Sequence, residues 1–190
     1  MIPKIYFNAS YYLQAEIFGS YFDYNQISEI IIKFKKFFQK KEEKVMIKIE
    51  EMTGFLWNQR IISVWFFDSW HTSISYPLLL NIYHGDIDFI FFNLIHELVH
   101  NNLLDLNVYK KKNEYDLIEL EALVNLVTKK IVSYFFNKTK LNELCKNAEF
   151  GGVYKYVWIR VKELENNINF RKTNLKEWMS SNKSKYVICE

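Results

Sequence analysis

A chain of 190 residues, 49% hydrophobic and 18% aromatic, carries enough apolar side chain to bury one sizeable core. A net charge of +3 is small for a nucleic-acid surface, and the clusters Lys33–Lys36, Lys40–Lys44 and Lys110–Lys112 read as solvated faces and loops. Two cysteines exclude a disulfide scaffold, no apolar run reaches membrane-span length, and Ile2–Ser10 lacks a positive start followed by an apolar stretch; the expectation is a cytoplasmic protein with neither nucleic acid nor membrane as partner.

Residues 1–24 read as strand and turn, and 25–43 as a basic amphipathic helix with Ile27, Ile30, Ile31, Phe34, Phe37 and Phe38 on its apolar face. Val45–Ile49 reads as a strand, followed by two β-branched and aromatic runs of strand length, Arg60–Phe67 and Ser75–Tyr83. Pro77 cannot donate to a ladder, which makes the second run an edge strand. His84-Gly85-Asp86 forms a turn, and Asp86 or Asp88 caps the helix that follows. That helix runs to Leu104, and further helices are predicted over 113–136, 140–149, 152–167 and 175–179. Residues 1–85 are thus mainly sheet with one helix, and 86–190 mainly helical. The five glycines and two prolines leave little room for a linker, so the prediction is a single α+β domain, a small mixed sheet beside a helical half with a cleft between them.

The helix ending at Leu104 contains His96-Glu97-Leu98-Val99-His100, using two of the chain's four histidines. Residues one turn apart share a helix face, so both imidazoles can close on one cation while Glu97 holds water beside it. This is the HExxH signature of zinc proteases. Ordinary buried histidines would each need a polar partner to offset desolvation, and one ion serves both.

A catalytic zinc takes a third protein ligand and keeps one position open. No histidine follows His100, and Leu103 and Leu106 stand where the metzincin pattern needs glycine and histidine, so a downstream ligand must be a carboxylate. In the helix over 113–136, Leu117, Leu120, Val124, Val127 and Ile131 form an apolar face. Glu121 lies on its border beside the small Ala122, whereas Glu114 and Glu119 point further from it. All three remain candidates, as do His71 and His84 upstream.

HELVH followed about twenty residues later by Glu121-Ala-Leu-Val-Asn125 resembles the gluzincins, the thermolysin-like zinc metallopeptidases, over residues 76–128; the chain's length is like that of their minimal single-domain members. The resemblance implies a zincin-like fold with an edge strand over the cleft. It implies zinc endopeptidase activity on a peptide or protein substrate, with one zinc ion on His96, His100 and Glu121 and with Glu97 as general base. Asn125, where the family more often has aspartate, would orient a ligand histidine. The strand ahead of the metal helix would take an extended peptide through Leu79, Leu80, Asn81 and Tyr83. An oxyanion donor would come from beyond the glutamate helix, where Tyr154, Tyr156 and Arg160 follow the Gly151-Gly152 break. An alternative keeps the fold and discards turnover: a catalytically silent or latent module that binds a partner peptide or protein. The intact Glu97 argues against it, because a binder needs no general base.

Overall fold

The computed structural model describes residues 2–8, 24–67, 73–75, 77–82, 85–104, 114–149 and 154–182. The first strand, β1 (Lys4–Asn8), is followed by α1 (Tyr24–Gln39), which buries Ile27, Ile31, Phe34 and Phe38 at spacings of four, three and four residues. The helix predicted to reach residue 43 stops at Gln39, and a new one begins, α2 (Glu42–Thr53).

Helix α2 corrects the strand expected at Val45–Ile49. Val45, Met46, Ile49, Met52 and Thr53 are buried at helical spacing, and Glu42 and Glu43 occupy the first turn, where carboxylates favour a helix start. Gly54 ends α2 in the left-handed conformation at φ 77°, its N–H donating to the Glu50 carbonyl at 2.8 Å. A Cβ at Gly54 would also stand 2.3 Å from Asn174 Oδ1, so any other residue would strain the backbone and push the Asn174 side chain aside. Among the described residues before residue 86 there are therefore two helices where one was expected.

Among the described residues three further strands join the sheet: β2 (Ile61–Phe67), β3 (Ile74–Ser75) and β4 (Leu78–Asn81). Their spatial order is β1-β2-β4-β3, with β1, β2 and β4 parallel and β3 antiparallel to β4. Helices α1 and α2 form the crossover that a parallel β1–β2 pair requires. The run containing Leu78–Asn81 is consequently internal, not the expected edge: Pro77 sits in the turn before it, and β3 pairs along its outer side. At the other edge, the Ile5 N–H donates to the Glu42 carboxylate at 2.8 Å and Lys35 donates to the Phe7 carbonyl at 3.1 Å, so side chains close β1 against further pairing.

The remaining helices are α3 (Ile87–Leu104), α4 (Glu114–Val132), α5 (Lys138–Ala148), α6 (Tyr154–Asn167) and α7 (Leu175–Ser181). An aromatic seam ties them to the sheet. Phe7 stacks on Phe66 with centroids 5.4 Å apart, Phe34 meets Phe66 edge-on at 6.0 Å, Phe38 lies 6.2 Å from Phe91, and Phe91 meets Phe135 at 5.3 Å. The seam explains why α4 ends at Val132 instead of Phe136: Phe135 and Phe136 leave the helix axis to pack on Phe91 of α3. One continuous core runs through both halves, an α+β arrangement. Among the described residues, no helix is long and apolar enough to cross a membrane.

Candidate metal centre

Helix α3 is fixed at its start by a side-chain cap. Asp86 Oδ1 accepts from the backbone N–H groups of Asp88 at 2.9 Å and Phe89 at 3.3 Å, which resolves the two candidate caps in favour of Asp86. Beyond the cap, Ile90, Phe91, Phe92, Leu94, Ile95, Leu98 and Val99 are all buried, so more than half of the helix circumference faces the core. Glu97, His100, Asn101 and Asn102 are buried polar residues in this segment, and His96 is partly exposed. Helix α4 packs against α3 and is itself enclosed, with every residue from Ala122 to Thr128 buried.

The two helices bring His96, His100 and Glu121 together. His96 Nε2 lies 3.1 Å from His100 Nε2; Glu121 Oε2 lies 3.5 Å from His96 Nε2, and Glu121 Oε1 lies 3.3 Å from His100 Nε2. All the potential ligand atoms fall within 4.8 Å of one another, and the group could hold a metal ion. Burial pushes the Glu121 carboxyl up, but hydrogen bonds with His100 and His96 outweigh it and hold the group well below the usual carboxylate range. Glu121 is therefore an anion facing two imidazoles, the electrostatic arrangement that favours a cation among them.

No family model, no curated protein and no solved structure matches the chain.

Glu119, two residues from Glu121, is elsewhere. Its carboxylate accepts from Arg160 Nε at 2.6 Å and Nη2 at 3.0 Å, a bidentate pair between α4 and α6. Arg160 also donates to Glu163 at 2.7 Å. One pairing thus accounts for a candidate ligand and a candidate oxyanion donor at once, both of them tied up in holding α4 to α6. Residues two apart on a helix project about 200° from each other, so Glu119 and Arg160 occupy the flank of α4 turned away from the cluster.

Tyr156, one turn before Arg160 on α6, is 63% exposed, and among the described residues no hydrogen bond links it to the three clustered groups. Tyr154 opens α6, and its side chain lies outside the described residues, as do Tyr83, His71, His84 and the side chain of Glu114. Asn125 is buried, yet its amide donates to the backbone carbonyl of Glu121 at 2.8 Å, fastening the turn that carries Glu121. The expected bond was to a histidine ring.

The substrate strand is also revised. Leu80 is wholly within the core, so its side chain cannot line a groove. Leu79 pairs with Ile74, and the Asn81 N–H donates to Ser73 Oγ at 3.0 Å, so β4's outer side is taken up by the chain itself. What sequence reasoning passed over is the polar pair just after the motif, Asn101-Asn102, in an otherwise apolar helix. Two amides at positions this deeply buried require partners, and that requirement was a readable signal.

Proposed function

We propose that the chain is a zinc-dependent metallopeptidase of the gluzincin type, with His96, His100 and Glu121 as the zinc ligands. One observation carries the reading. A tetrahedron with metal–ligand bonds of about 2.0–2.1 Å has edges of about 3.3–3.4 Å. The 3.1, 3.3 and 3.5 Å separations within the cluster match three such edges. Two imidazole nitrogens with one carboxylate form the donor set of known catalytic zinc sites and leave a fourth position for water.

A bound zinc would supply an acidified water, with a pKa of about 7, and a polarising charge for the scissile carbonyl. The chain's own residues do the rest. Glu97, adjacent to His96 on α3, takes the proton from the attacking water and returns it to the leaving amine. The 3.5 Å and 3.3 Å contacts from Glu121 aim both imidazoles at one point before any ion arrives.

A peptide or protein substrate adds as a strand to the sheet. The strand for this task is β3, whose outer side pairs with no strand among the described residues, in place of the β4 run. Metal analysis of the purified chain, joined to cleavage of a broad peptide library before and after chelation, tests the proposal. The expected result is one zinc per chain, with cleavage that chelation abolishes and zinc restores. Zinc without cleavage would leave a binding module, and absence of zinc would overturn the reading altogether.

A further inference from the structure

Beyond the ligands, α3 makes a second buried polar contact, on a different side and with a distant part of the chain. The Thr53 hydroxyl at the end of α2 lies 2.7 Å from Asn102 Oδ1, across 49 residues of sequence, and 2.8 Å from the Ile49 carbonyl of its own helix, so its one proton is shared between these two acceptors. Asn102 Nδ2 donates to the Phe55 carbonyl at 3.4 Å, and the Phe55 N–H donates to Thr53 Oγ at 3.3 Å. The three bonds close a ring in which one asparagine side chain reads the backbone just past α2. Thr53, Phe55 and Asn102 are respectively 0%, 3% and 1% exposed, so water does not compete for these groups.

Helical geometry gives the ring its meaning. Asn102 follows His100 by two residues and so projects about 200° from it. It lies about 120° round the helix from His96, so the ring grips α3 on a face distinct from the one that carries its ligands. Apolar packing around a helix tolerates small rotations and slides, whereas a closed set of directional hydrogen bonds does not. Gly54, between Thr53 and Phe55, adopts φ 77° and lies against the side chain of Asn174, the N-cap of α7, so the same turn also touches α7.

We infer that Thr53 and Asn102 are positioning residues for the metal centre, fixing the rotation and axial height of α3 so that both imidazoles meet Glu121. This inference rests on the proposal that the cluster binds a divalent ion. Neither residue touches the ion; each acts through the helix that carries His96 and His100.

The test uses the full chain and two metals. Zinc affinity is measured by competition with a chromophoric chelator, and ligand geometry by the visible absorption of the cobalt(II) form, for the unaltered protein and for Thr53→Val, Thr53→Ser and Asn102→Leu. Ile5→Ala on β1, a core truncation remote from α3, serves as the control, and thermal unfolding of each metal-free form confirms that it is folded at the assay temperature. The expected outcome is a tenfold or greater loss of zinc affinity and a changed cobalt spectrum for Thr53→Val and Asn102→Leu. Thr53→Ser, which keeps the hydroxyl, should retain both properties, and Ile5→Ala should lower the unfolding temperature alone. If Thr53→Val and Asn102→Leu lose stability while affinity and spectrum stay as in the unaltered protein, the ring is structural only and the inference fails. If either variant does not fold, the other decides; if neither folds, a Thr53→Ser protein with weakened affinity overturns the inference and one with full affinity supports it. Failure of the unaltered chain to bind either metal is a separate result, since it removes the metal reading itself.

Discussion

Glu119 and Glu121 stand two residues apart on one helix and meet opposite environments. Glu119 faces a guanidinium that matches it with two parallel hydrogen bonds, so its charge is already neutralised within the protein. Glu121 faces two imidazoles whose nitrogens also face each other, and nothing in that trio carries a permanent positive charge. Without an ion, the trio coheres only if protons reside on the imidazole nitrogens; with a divalent cation, it needs none. Two carboxylates of similar burial are thus separated by what stands opposite them, one joining helices and the other part of a group that could hold a metal ion.

The largest expected effect strikes the Glu121 side. His96→Ala, His100→Ala and Glu121→Gln should each reduce zinc affinity by about a hundredfold or more, since even partners one step removed from a metal contribute about ten- to a hundredfold. Glu119→Gln should leave zinc affinity unchanged, and equilibrium dialysis against buffered zinc separates the two outcomes. Equal losses from Glu119→Gln and Glu121→Gln would erase the distinction. Next in size, Glu97→Gln should retain zinc and lower turnover about 10²- to 10⁴-fold, measured on whichever peptide the unaltered chain cleaves fastest. Full turnover in that variant would remove Glu97 from its role.

On the Glu119 side the effects concern stability. Arg160→Met should destabilise the fold by about 1–2 kcal/mol in urea unfolding, because Glu119 loses a charged, bidentate partner at a half-buried position. Zinc affinity should not follow. A second ion cluster joins the same two helices: Glu165 on α6 accepts from Lys129 and Lys130 of α4, each at 2.6 Å. Burial raises the Glu165 carboxyl, but these hydrogen bonds prevail and hold it below its ordinary value of 4.5. A carboxylate whose folded value is depressed contributes stability above the unfolded value and loses it as pH falls through the folded one. Glu165→Gln should therefore be less stable than the unaltered chain at neutral pH, with the gap closing below about pH 4.5, as followed by thermal melts across pH. A gap that widens in acid would reverse the assignment.

Much of the candidate site was legible because its key pair is local. Two histidines one turn apart need only a helix to meet, and the apolar run around them announces one. The choice between Glu119 and Glu121 was not local: it depends on Arg160, 41 residues away in sequence, which the chain order alone does not place. The ring of Thr53, Phe55 and Asn102 lay out of reach for the same reason. Helix α2 was misread for a different cause. The run Val45-Met-Ile-Lys-Ile49 contains β-branched residues and partial alternation, while the stronger signals lay at its ends, in Glu42, Glu43 and the terminating Gly54. The sheet edge was misplaced because β3 spans only two residues, too short to leave a periodic trace, and because Pro77, taken as the sign of an edge strand, sits in the turn between β3 and β4.

The most direct test of the central claim is a zinc K-edge X-ray absorption spectrum of the full chain reconstituted with one equivalent of zinc. The account predicts a four-coordinate ion with two imidazole nitrogens at about 2.0–2.1 Å and oxygen ligands at about 2.0–2.2 Å, with the imidazole scattering reduced by half in His100→Ala. A spectrum of hydrated zinc, or one that His100→Ala leaves unchanged, would contradict it.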